Sequence, residues 1–383
     1  MPMNTMSLPR PPASWMLALL LAAAPLAQAA VDPYGYTLPA SQRNKKAKLA
    51  KKKGPPPIDY VGEFVNFGDW KEVRAFLDEL ATRDGFDRAA LDALMSQVRY
   101  VDAAVQLIKP APPGKPKNWQ AYSKLFIDPV RIDAGVKFWN ENQDALARAE
   151  ALYGVPAEIL VGIIGVETVY GRNTGRFRVL DALTTLAFSY PQTPTRDERM
   201  AFFRGELEAT LLFARQNGID PLSLRGSYAG AVGMPQFMPS SIVKYAVDFD
   251  GNGKVDLLGS SSDAIGSVAA FLTAHGWRRD DPGPLVYSAE VSPNRAWEGM
   301  INQGLVAKFP AQDLTAAGIN TTSALPAGMV FGLVDLQNGA DPTEYWVATN
   351  NFFAITQYNR SYFYAMSVVE LGRAVRLSRG GAM

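Results

Sequence analysis

Hydrophobic positions after residue 57 recur mostly at intervals of three and four, which is the spacing of amphipathic helices. One stripe runs from Val73 to Leu80 behind Asp69, a residue suited to cap a helix amino terminus. A second helix is predicted to begin near Asp87. Further helices are predicted over residues 131–152, 155–171, 196–216 and 365–377. Most of the chain is therefore predicted to be helical.

The pattern changes between residues 282 and 348, where Gly and Pro are frequent and the helical spacing fades. Short β-branched or aromatic stretches occur there at Leu285–Tyr287, Val330–Leu336 and Glu344–Val347. Such stretches, bounded by turn residues, are typical of strands. This part of the chain is predicted to form a small β-containing lobe.

The amino-terminal 57 residues differ in character from the rest. An apolar run at residues 15–24 is shorter than the roughly 20 residues that a membrane span needs. Ala27-Gln28-Ala29 has the small-x-small form of a signal-peptidase site, so we expect residues 1–29 to be a cleaved signal peptide. Residues 30–57 are rich in Pro, Lys and Ala and are expected to form a disordered linker. Because no Cys follows the apolar run, we expect no lipid anchor.

Composition removes several kinds of chemistry. The 383 residues include no Cys and one His, His275, which excludes thiolate nucleophiles, disulfides and clustered-histidine metal sites. A Ser-His-Asp triad would have to use His275, whose place at a predicted helix end favours a capping role as a cation. Seven basic side chains between Arg43 and Lys53 more than account for the net charge of +1, so the rest is mildly acidic. That charge argues against a nucleic-acid-binding protein.

The predicted helix at residues 155–171 is apolar on every side, which predicts that it is buried. Pro156 suits its first turn and Gly171 its end. Gly162 and Gly165 each cost about 1 kcal/mol relative to Ala within a helix. We therefore expect another element to approach the helix closely at these two glycines.

Glu167 is the only charged residue between Glu158 and Arg172 in that helix. Burial raises the pKa of a carboxyl group, and a glutamate that is protonated near neutral pH can act as a general acid. The helix alone also fits a structural glutamate that pairs with a buried arginine. Both interpretations stay open on this segment.

Two other segments carry hydrogen-bonding and aromatic side chains in unusual density. Residues 227–241 combine many small residues with Ser227 and Gln236, which suits a close-fitting groove for a polar ligand. Residues 351–365 hold three tyrosines among asparagines. Aromatic rings and amides are typical of sugar-binding clefts, although a tyrosine cluster by itself also fits core packing.

Together these blocks resemble the lytic murein transglycosylase B family, in its soluble periplasmic branch. The matching motifs are Glu-Thr-x-Tyr-Gly at Glu167–Gly171, Ser-Tyr-Ala-Gly-Ala-x-Gly-x-x-Gln-Phe-Met-Pro-Ser-Ser at Ser227–Ser241, and Tyr-Asn-x-Ser at Tyr358–Ser361. The resemblance covers about residues 61–377. The lipidated Cys of the membrane-bound members is missing here, and the resemblance implies a periplasmic protein without a membrane anchor.

The resemblance also implies a fold and a site. The expected fold class is mainly α, with a lysozyme-like helical core, an EF-hand-like loop, an additional N-terminal helical domain and a small β-containing lobe. Glu167 would be the sole catalytic carboxylate. The glycan cleft would be lined by Tyr122, Ser227, Gln236, Tyr358, Asn359 and Tyr364. The implied domains are an N-terminal helical domain (58–150), the catalytic core (151–281), the β-containing lobe (282–348) and a C-terminal segment completing the cleft (349–383).

The implied reaction is a non-hydrolytic cleavage of peptidoglycan. Glu167 would protonate the glycosidic oxygen between N-acetylmuramic acid and N-acetylglucosamine, and then deprotonate the muramoyl 6-hydroxyl, which closes a 1,6-anhydro ring. An ordinary hydrolase needs two carboxylates about 5–9.5 Å apart, and no second acid lies in the motifs. Glu206 and Glu208 lie on a neighbouring helix, where solvated or paired roles are expected. The alternatives are a hydrolytic muramidase and a non-catalytic murein-binding scaffold.

A calcium-like loop follows the second motif. Residues 248–253 match the D-x-D-x-N-G start of an EF-hand, with Gly253 at the sharp turn. The twelfth position is Gly259 instead of Glu, and a metal-free Asx-rich turn also fits the spacing. The resemblance favours weakly bound, structural Ca²⁺ and no organic cofactor. The predicted ligands are Asp248, Asp250, Asn252, the Lys254 carbonyl and Asp263, with Asp256 able to act through water.

The expected partners are peptidoglycan glycan strands. The resemblance also implies penicillin-binding proteins or other wall enzymes as partners. No nucleic acid is expected as a partner.

Overall fold

The structure, a computed structural model, describes residues 57–110, 114 and 116–380. The predicted signal peptide and all of the predicted linker except its last residue lie outside the described residues. Within these ranges, no single helix is long and apolar enough to span a membrane. Two consecutive helices, Gln143–Tyr153 and Ala157–Thr168, meet the criterion of length and composition only as a pair bent by 116°.

The amino-terminal half is helical apart from two-residue strands. Its first part contains β1 (Glu63–Phe64), α1 (Lys71–Asp84), α2 (Arg88–Met95), β2 (Arg99–Tyr100), α3 (Asp102–Leu107), α4 (Trp119–Ser123), α5 (Pro129–Glu141) and α6 (Gln143–Tyr153). The helices that follow are α7 (Ala157–Thr168), α8 (Val179–Phe188), α9 (Arg196–Asn217), α10 (Pro239–Tyr245) and α11 (Ser261–Ala274), with β3 (Phe177–Arg178) and β4 (Arg225–Gly226) between them.

The carboxy-terminal half contains the predicted strands and returns to helix. Its elements are β5 (Val286–Val291), β6 (Phe309–Pro310), α12 (Ala311–Ala316), β7 (Ile319–Thr321), β8 (Val330–Asn338), β9 (Asp341–Thr349), α13 (Asn350–Ile355) and α14 (Tyr362–Gly380). The mainly α fold class with a small β lobe is confirmed. The division of the chain near residues 150, 281 and 348 stays a proposal.

Helix boundaries follow local capping chemistry in some places and not in others. α2 begins directly after Asp87, as predicted, and the Asp87 carboxylate caps it by accepting the Ala90 N–H at 2.7 Å. The predicted cap at Asp69 is wrong: α1 begins at Lys71, and the Asp69 carboxylate accepts a bond from the Asn66 amide instead. The single helix predicted over residues 131–152 is two helices, because Asn142 leaves the helical conformation at φ −120° and ψ 23°.

The central helix α7 is buried against α14, as the glycine pattern predicted. A Cβ at Gly162 would lie 2.4 Å from the Val368 carbonyl oxygen of α14. On the other side of the same contact, a Cβ at Gly372 would lie 2.1 Å from the Glu158 carbonyl oxygen. Only glycine permits such close backbone approach. The two helices are therefore fixed against each other in the core.

The five strands of the carboxy-terminal half form one antiparallel sheet in the order β6-β8-β9-β5-β7, whereas β1 pairs with β2 and β3 with β4 in two separate two-stranded sheets. Side chains alternate between its two faces. Val334 and Leu336 pack into the main helical core, whereas Leu333 and Val347 belong to a second, smaller core with Trp297. The sheet is therefore covered on both faces and is attached to the helical body through one of them.

Candidate active site

Glu167 is the second-last residue of α7, where the chain turns sharply. The helix ends at Thr168, three residues before the predicted end at Gly171, because Val169 and Tyr170 both adopt positive φ, at 52° and 58°. The Thr168 hydroxyl donates to the Met234 carbonyl at 2.9 Å and accepts the Gly171 N–H at 2.9 Å. Two successive left-handed non-glycine residues are strained and need such outside support.

The carboxylate of Glu167 is half-buried and accepts one strong hydrogen bond. The Tyr364 hydroxyl, on α14, donates to its Oε1 at 2.6 Å. Burial raises the pKa of Glu167 to about 7, although the bond from Tyr364 opposes the shift. Near neutral pH this group can therefore give up a proton and take one back.

Three tyrosines surround Glu167. Tyr358 and Tyr364 have nearly parallel rings with centroids 6.2 Å apart. Burial raises the pKa of Tyr122 to about 12, and the charge of Glu167 adds to the shift. The pKa of Tyr358 is likewise raised, first by burial and then by Glu167. The tyrosines are therefore neutral hydrogen-bonding groups at neutral pH.

Among the described residues, Glu167 is the one carboxylate whose charge raises the pKa of Tyr122, Tyr358 and Tyr364. Glu206 is 3% exposed, and its two oxygens accept bonds from the Ser240 N–H and hydroxyl at 2.8 and 2.7 Å. Glu208 pairs with Arg83 at 2.7 Å. Both therefore have paired, structural roles.

Ser227 and Gln236 are buried, and their side chains hydrogen-bond mostly to the backbone of residues 227–241. The Ser227 Oγ accepts the Ala231 N–H at 3.0 Å. Gln236 adopts φ 50°, and its Nε2 donates to the Gly233 and Thr174 carbonyls at 2.9 and 3.1 Å. These bonds fix both side chains. They leave the serine hydroxyl hydrogen and the glutamine Oε1 without a partner in the described part of the chain.

Tyr358 connects the carboxy-terminal segment to this loop, because its hydroxyl donates to the Pro235 carbonyl. The neighbouring Asn359 is half-buried, and its Oδ1 has no partner within the described ranges. The contacts thus bring Glu167, Tyr122, Tyr358 and Tyr364 together. Ser227, Gln236 and Asn359 lie on segments that the Tyr358 and Thr168 bonds tie to this group.

The acidic loop between α10 and α11 also comes together. Oxygen atoms of Asp248, Asp250 and Asp263 lie within 4.8 Å of one another. Asp263 is fully buried, and its carboxylate accepts the N–H groups of Phe249, Asp250 and Asp256 at 2.8–3.1 Å. None of the ion pairs in the described part of the chain involves these three carboxylates.

Three hard carboxylate donors without a cationic partner fit a Ca²⁺-like ion. Desolvation by itself would raise the pKa of Asp248, but the backbone N–H bonds from Gly253, Gly251 and Asn252 together outweigh it and lower the pKa. The other predicted ligands, Asn252, the Lys254 carbonyl and Asp256, do not belong to this group of close carboxylate oxygens. The Asn252 Oδ1 accepts the Lys254 N–H at 3.0 Å, and the Lys254 side chain is exposed. Asp256 accepts the Leu258 and Gly259 N–H groups and so closes a turn.

His275 caps α11 as predicted, but not as a cation. It is the C-cap residue, and its Nδ1 lies 2.7 Å from the Phe271 carbonyl oxygen. Burial lowers its pKa, although the bond to Phe271 opposes the shift. The ring also stacks on Phe271 with centroids 3.9 Å apart. The sequence predicted the position of His275 at the end of α11. It did not predict the burial that lowers the pKa of the ring and keeps it neutral.

Thr168 is the functional residue that sequence reasoning missed. It is fully buried, and its hydroxyl holds the turn after Glu167 against the loop at Met234. The Glu-Thr-x-Tyr-Gly motif contains Thr168, but nothing in the sequence indicates its contact with Met234.

Comparison with known proteins places the chain in a family. The model of the family described as "Transglycosylase SLT domain" matches residues 68–373. The chain is 43% identical over 327 residues to the membrane-bound lytic murein transglycosylase B of Escherichia coli, covering 83% of this chain and 85% of that protein.

Solved structures agree with this similarity. The soluble lytic transglycosylase SltB1 of Pseudomonas aeruginosa is 44% identical, with a TM-score of 0.73 over 81% of this chain and 99% of that one. The Escherichia coli lytic transglycosylase Slt35, in complex with calcium, is 41% identical, with a TM-score of 0.72 over 84% of this chain and 97% of that one.

Proposed function

Because the chain belongs to the transglycosylase SLT domain family of lytic murein transglycosylases, we propose that Glu167 serves first as the acid and then as the base of the reaction. The enzyme is a peptidoglycan lytic transglycosylase with a lysozyme-like, mainly α fold. The observation that carries the proposal is the position of Glu167 at the end of the buried helix α7, where the Tyr364 hydroxyl donates to its carboxylate at 2.6 Å and burial raises its pKa to about 7.

In the first step, protonated Glu167 gives its proton to the glycosidic oxygen between N-acetylmuramic acid and N-acetylglucosamine. The bond from the muramoyl C1 to that oxygen breaks, and the N-acetylglucosamine leaves with the proton. The N-acetyl group of the muramoyl residue stabilises the positive charge at C1. Tyr364 holds the carboxylate that remains, because its hydroxyl already donates to Oε1 at 2.6 Å.

In the second step, the Glu167 carboxylate takes the proton of the muramoyl 6-hydroxyl. The hydroxyl oxygen forms a bond to C1 and closes the 1,6-anhydro ring. Glu167 is protonated again, so the cycle balances without water. A pKa near 7 suits both directions of transfer, because it makes the protonated and ionised forms similar in energy at neutral pH.

The cleft residues are assigned to glycan binding in this proposal. Gln236 can accept through Oε1, Ser227 can donate through its hydroxyl, and Asn359 has a buried Oδ1 without a partner in the described part. Tyr122 and Tyr358 supply aromatic faces beside Glu167.

Mass spectrometry of the products released from purified sacculi tests this proposal. Non-hydrolytic cleavage gives 1,6-anhydro ends, which are lighter by one water than the reducing ends that a hydrolytic muramidase leaves. Release of reducing-end products alone would contradict the proposed second step. A protein that binds sacculi and releases nothing would be the scaffold instead of the enzyme.

We further propose that Asp248, Asp250 and Asp263 hold Ca²⁺, with Asn252 and the Lys254 carbonyl completing the site. The close carboxylate oxygens support this assignment, as does the calcium complex of Slt35. An ion bound there would offset part of the charge of the three carboxylates and would join the loop to Asp263 at the start of α11. It takes no part in the glycan chemistry.

We place the enzyme in the periplasm, after removal of residues 1–29. Its similarity to SltB1, a soluble lytic transglycosylase, supports a protein without a lipid anchor. The mass of the mature protein from an envelope fraction tests this placement, since an uncleaved chain would contradict it. The expectation that penicillin-binding proteins or other wall enzymes are partners stays a prediction.

A further inference from the structure

The helix that carries Tyr122 is too short to hold its own position. α4 has five residues, and an isolated helix of that length is unstable in water. Its first N–H groups need acceptors from outside the helix. Asn118 supplies one, because its Oδ1 accepts the Ala121 N–H at 2.7 Å.

The second acceptor comes from the β lobe, 218 residues away in sequence. The Gln120 N–H donates to the Oδ1 of Asn338 at 2.9 Å. The Asn338 carbonyl accepts a weaker bond from the Asn118 amide at 3.4 Å, and the Gly339 N–H donates to the Lys117 carbonyl at 2.8 Å. The tip of the hairpin β8–β9 therefore holds the start of α4 at three points.

Asn338 is itself fixed in this orientation. It is 2% exposed, and its Nδ2 donates to the Pro342 carbonyl and to the Glu344 Oε1, both at 3.2 Å. The pairing register of the hairpin shifts between Leu336 and Asn338. Such β-bulges redirect side chains and are common beside active sites.

α4 contacts the cluster around Glu167 through two aromatic residues. Trp119 is 3% exposed and contacts Phe363 of α14, with ring centroids 5.5 Å apart. Tyr122 lies 5.4 Å from the same Phe363 ring. The next residue is Tyr364, which hydrogen-bonds Glu167. A displacement of α4 would therefore change the position of Tyr122 relative to Phe363 and Tyr364.

We propose that Asn338 is a positioning residue, which holds α4 so that Tyr122 stays in the glycan cleft. The β lobe then serves the reaction without touching the reacting atoms. This inference rests on the proposed function, because it assumes that Tyr122 binds the glycan.

The test compares Asn338→Ala with Gln337→Ala in the full-length enzyme acting on sacculi. Gln337 is the adjacent residue, and its exposed side chain bonds only Asp335. Asn338→Ala should lower kcat/KM by about tenfold, mainly through KM, because the Gln120 N–H loses its partner and Tyr122 is displaced. Gln337→Ala should stay within about twofold of the wild type.

A double-mutant cycle with Tyr122→Ala separates positioning from general damage. If Asn338 acts through Tyr122, Asn338→Ala should have less than about a twofold effect in the Tyr122→Ala background. A tenfold loss of kcat/KM from Asn338→Ala in the Tyr122→Ala background would overturn the inference. Equal kcat/KM values for Asn338→Ala and Gln337→Ala would also overturn it. An inactive wild type would instead refute the proposed function.

An exchange of groups covers the case in which Asn338→Ala fails to fold. Asn338→Asp combined with Glu344→Gln keeps an acceptor for Gln120 and restores an amide-to-carboxylate bond in the opposite direction, whereas the bond to the Pro342 carbonyl is lost equally in Asn338→Asp alone. Recovery of kcat/KM relative to Asn338→Asp alone supports the positioning role. No recovery would overturn it.

Discussion

At the scale of single residues, the proposed reaction depends on the proton of Glu167. Glu167→Gln keeps the shape of the side chain and removes the proton that the first step needs. We expect product release to fall by at least about 100-fold, because acid–base groups contribute roughly 10²–10⁴. Activity on sacculi is the measurement. Glu208→Gln, which changes a glutamate paired with Arg83, is the control and should remain active.

The same substitution should not unfold the protein. The folded-state pKa of Glu167 is raised above the usual glutamate value, so its stabilising contribution is present at low pH and is lost as pH rises through about 7. Glu167→Gln should therefore leave Tm unchanged at pH 4 and raise it at pH 8. A fall in Tm at pH 8 would show that ionised Glu167 is a structural ion and not a desolvated acid.

Tyr364 sets the pH range in which Glu167 can act as an acid. Its hydrogen bond lowers the pKa of Glu167 against the larger effect of burial. Activity should fall as pH rises above about 7, because the acid is then ionised. In Tyr364→Phe the pKa of Glu167 rises further, so the fall should occur at higher pH. The pH profile of kcat/KM checks this, and a shift to lower pH would contradict it.

At the scale of elements, the contact between α7 and α14 fixes Glu167 relative to Tyr364. Gly162→Ala would place a methyl group 2.4 Å from the Val368 carbonyl, and neither backbone can move easily. We expect a loss of about 1–3 kcal/mol in the free energy of unfolding, as for other overpacked cores.

Denaturant unfolding measures this loss, and Gly205→Ala provides the matched control. Gly205 lies within α9, and nothing is within 4 Å of its added Cβ. That substitution should stabilise the protein by about 0.5–1 kcal/mol through helix propensity alone. Equal effects at the two glycines would show that the α7–α14 contact is not tight.

Sequence periodicity predicted these helices well because the apolar stripe is a local property. The burial of α7 and the close approach at Gly162 follow directly from the residues between 157 and 168. The helix ends were less predictable. Val169 adopts a left-handed conformation, which its own residue type disfavours, and the bond from Thr168 to the distant Met234 carbonyl helps to hold the turn.

At the scale of the whole molecule, the acidic loop should couple Ca²⁺ to stability. An ion that binds only the folded state raises its stability by about 1–3 kcal/mol at 10 mM, for a dissociation constant of roughly 10⁻⁴–10⁻³ M. We expect Tm to rise by a few degrees with Ca²⁺ and to return after chelation. Asp263→Asn should abolish the rise, whereas Asp197→Asn, at an exposed position, should keep it. An unchanged Tm in the wild type would contradict the site.

Long-range contacts mark the limit of prediction from the sequence. The motifs identified Glu167 and the cleft tyrosines, yet nothing near Gln120 indicates that its N–H donates to Asn338. The burial of Glu206 under Ser240 and the neutral state of His275 are also set by elements distant in sequence. The local sequence pattern predicts which surfaces are apolar. The hydrogen-bond partner of each polar group depends on the element that packs against it.

The bond between Tyr364 and Glu167 joins residues that are 197 positions apart. A polypeptide that is still being synthesised therefore carries Glu167, the proposed acid, long before it carries the tyrosine that hydrogen-bonds its carboxylate. Any fragment that stops before α14 lacks Tyr364 and the helix that packs on Gly162. If the proposed roles of Glu167 and Tyr364 are correct, we therefore expect the capacity to cut peptidoglycan to arise only once α14 is in place.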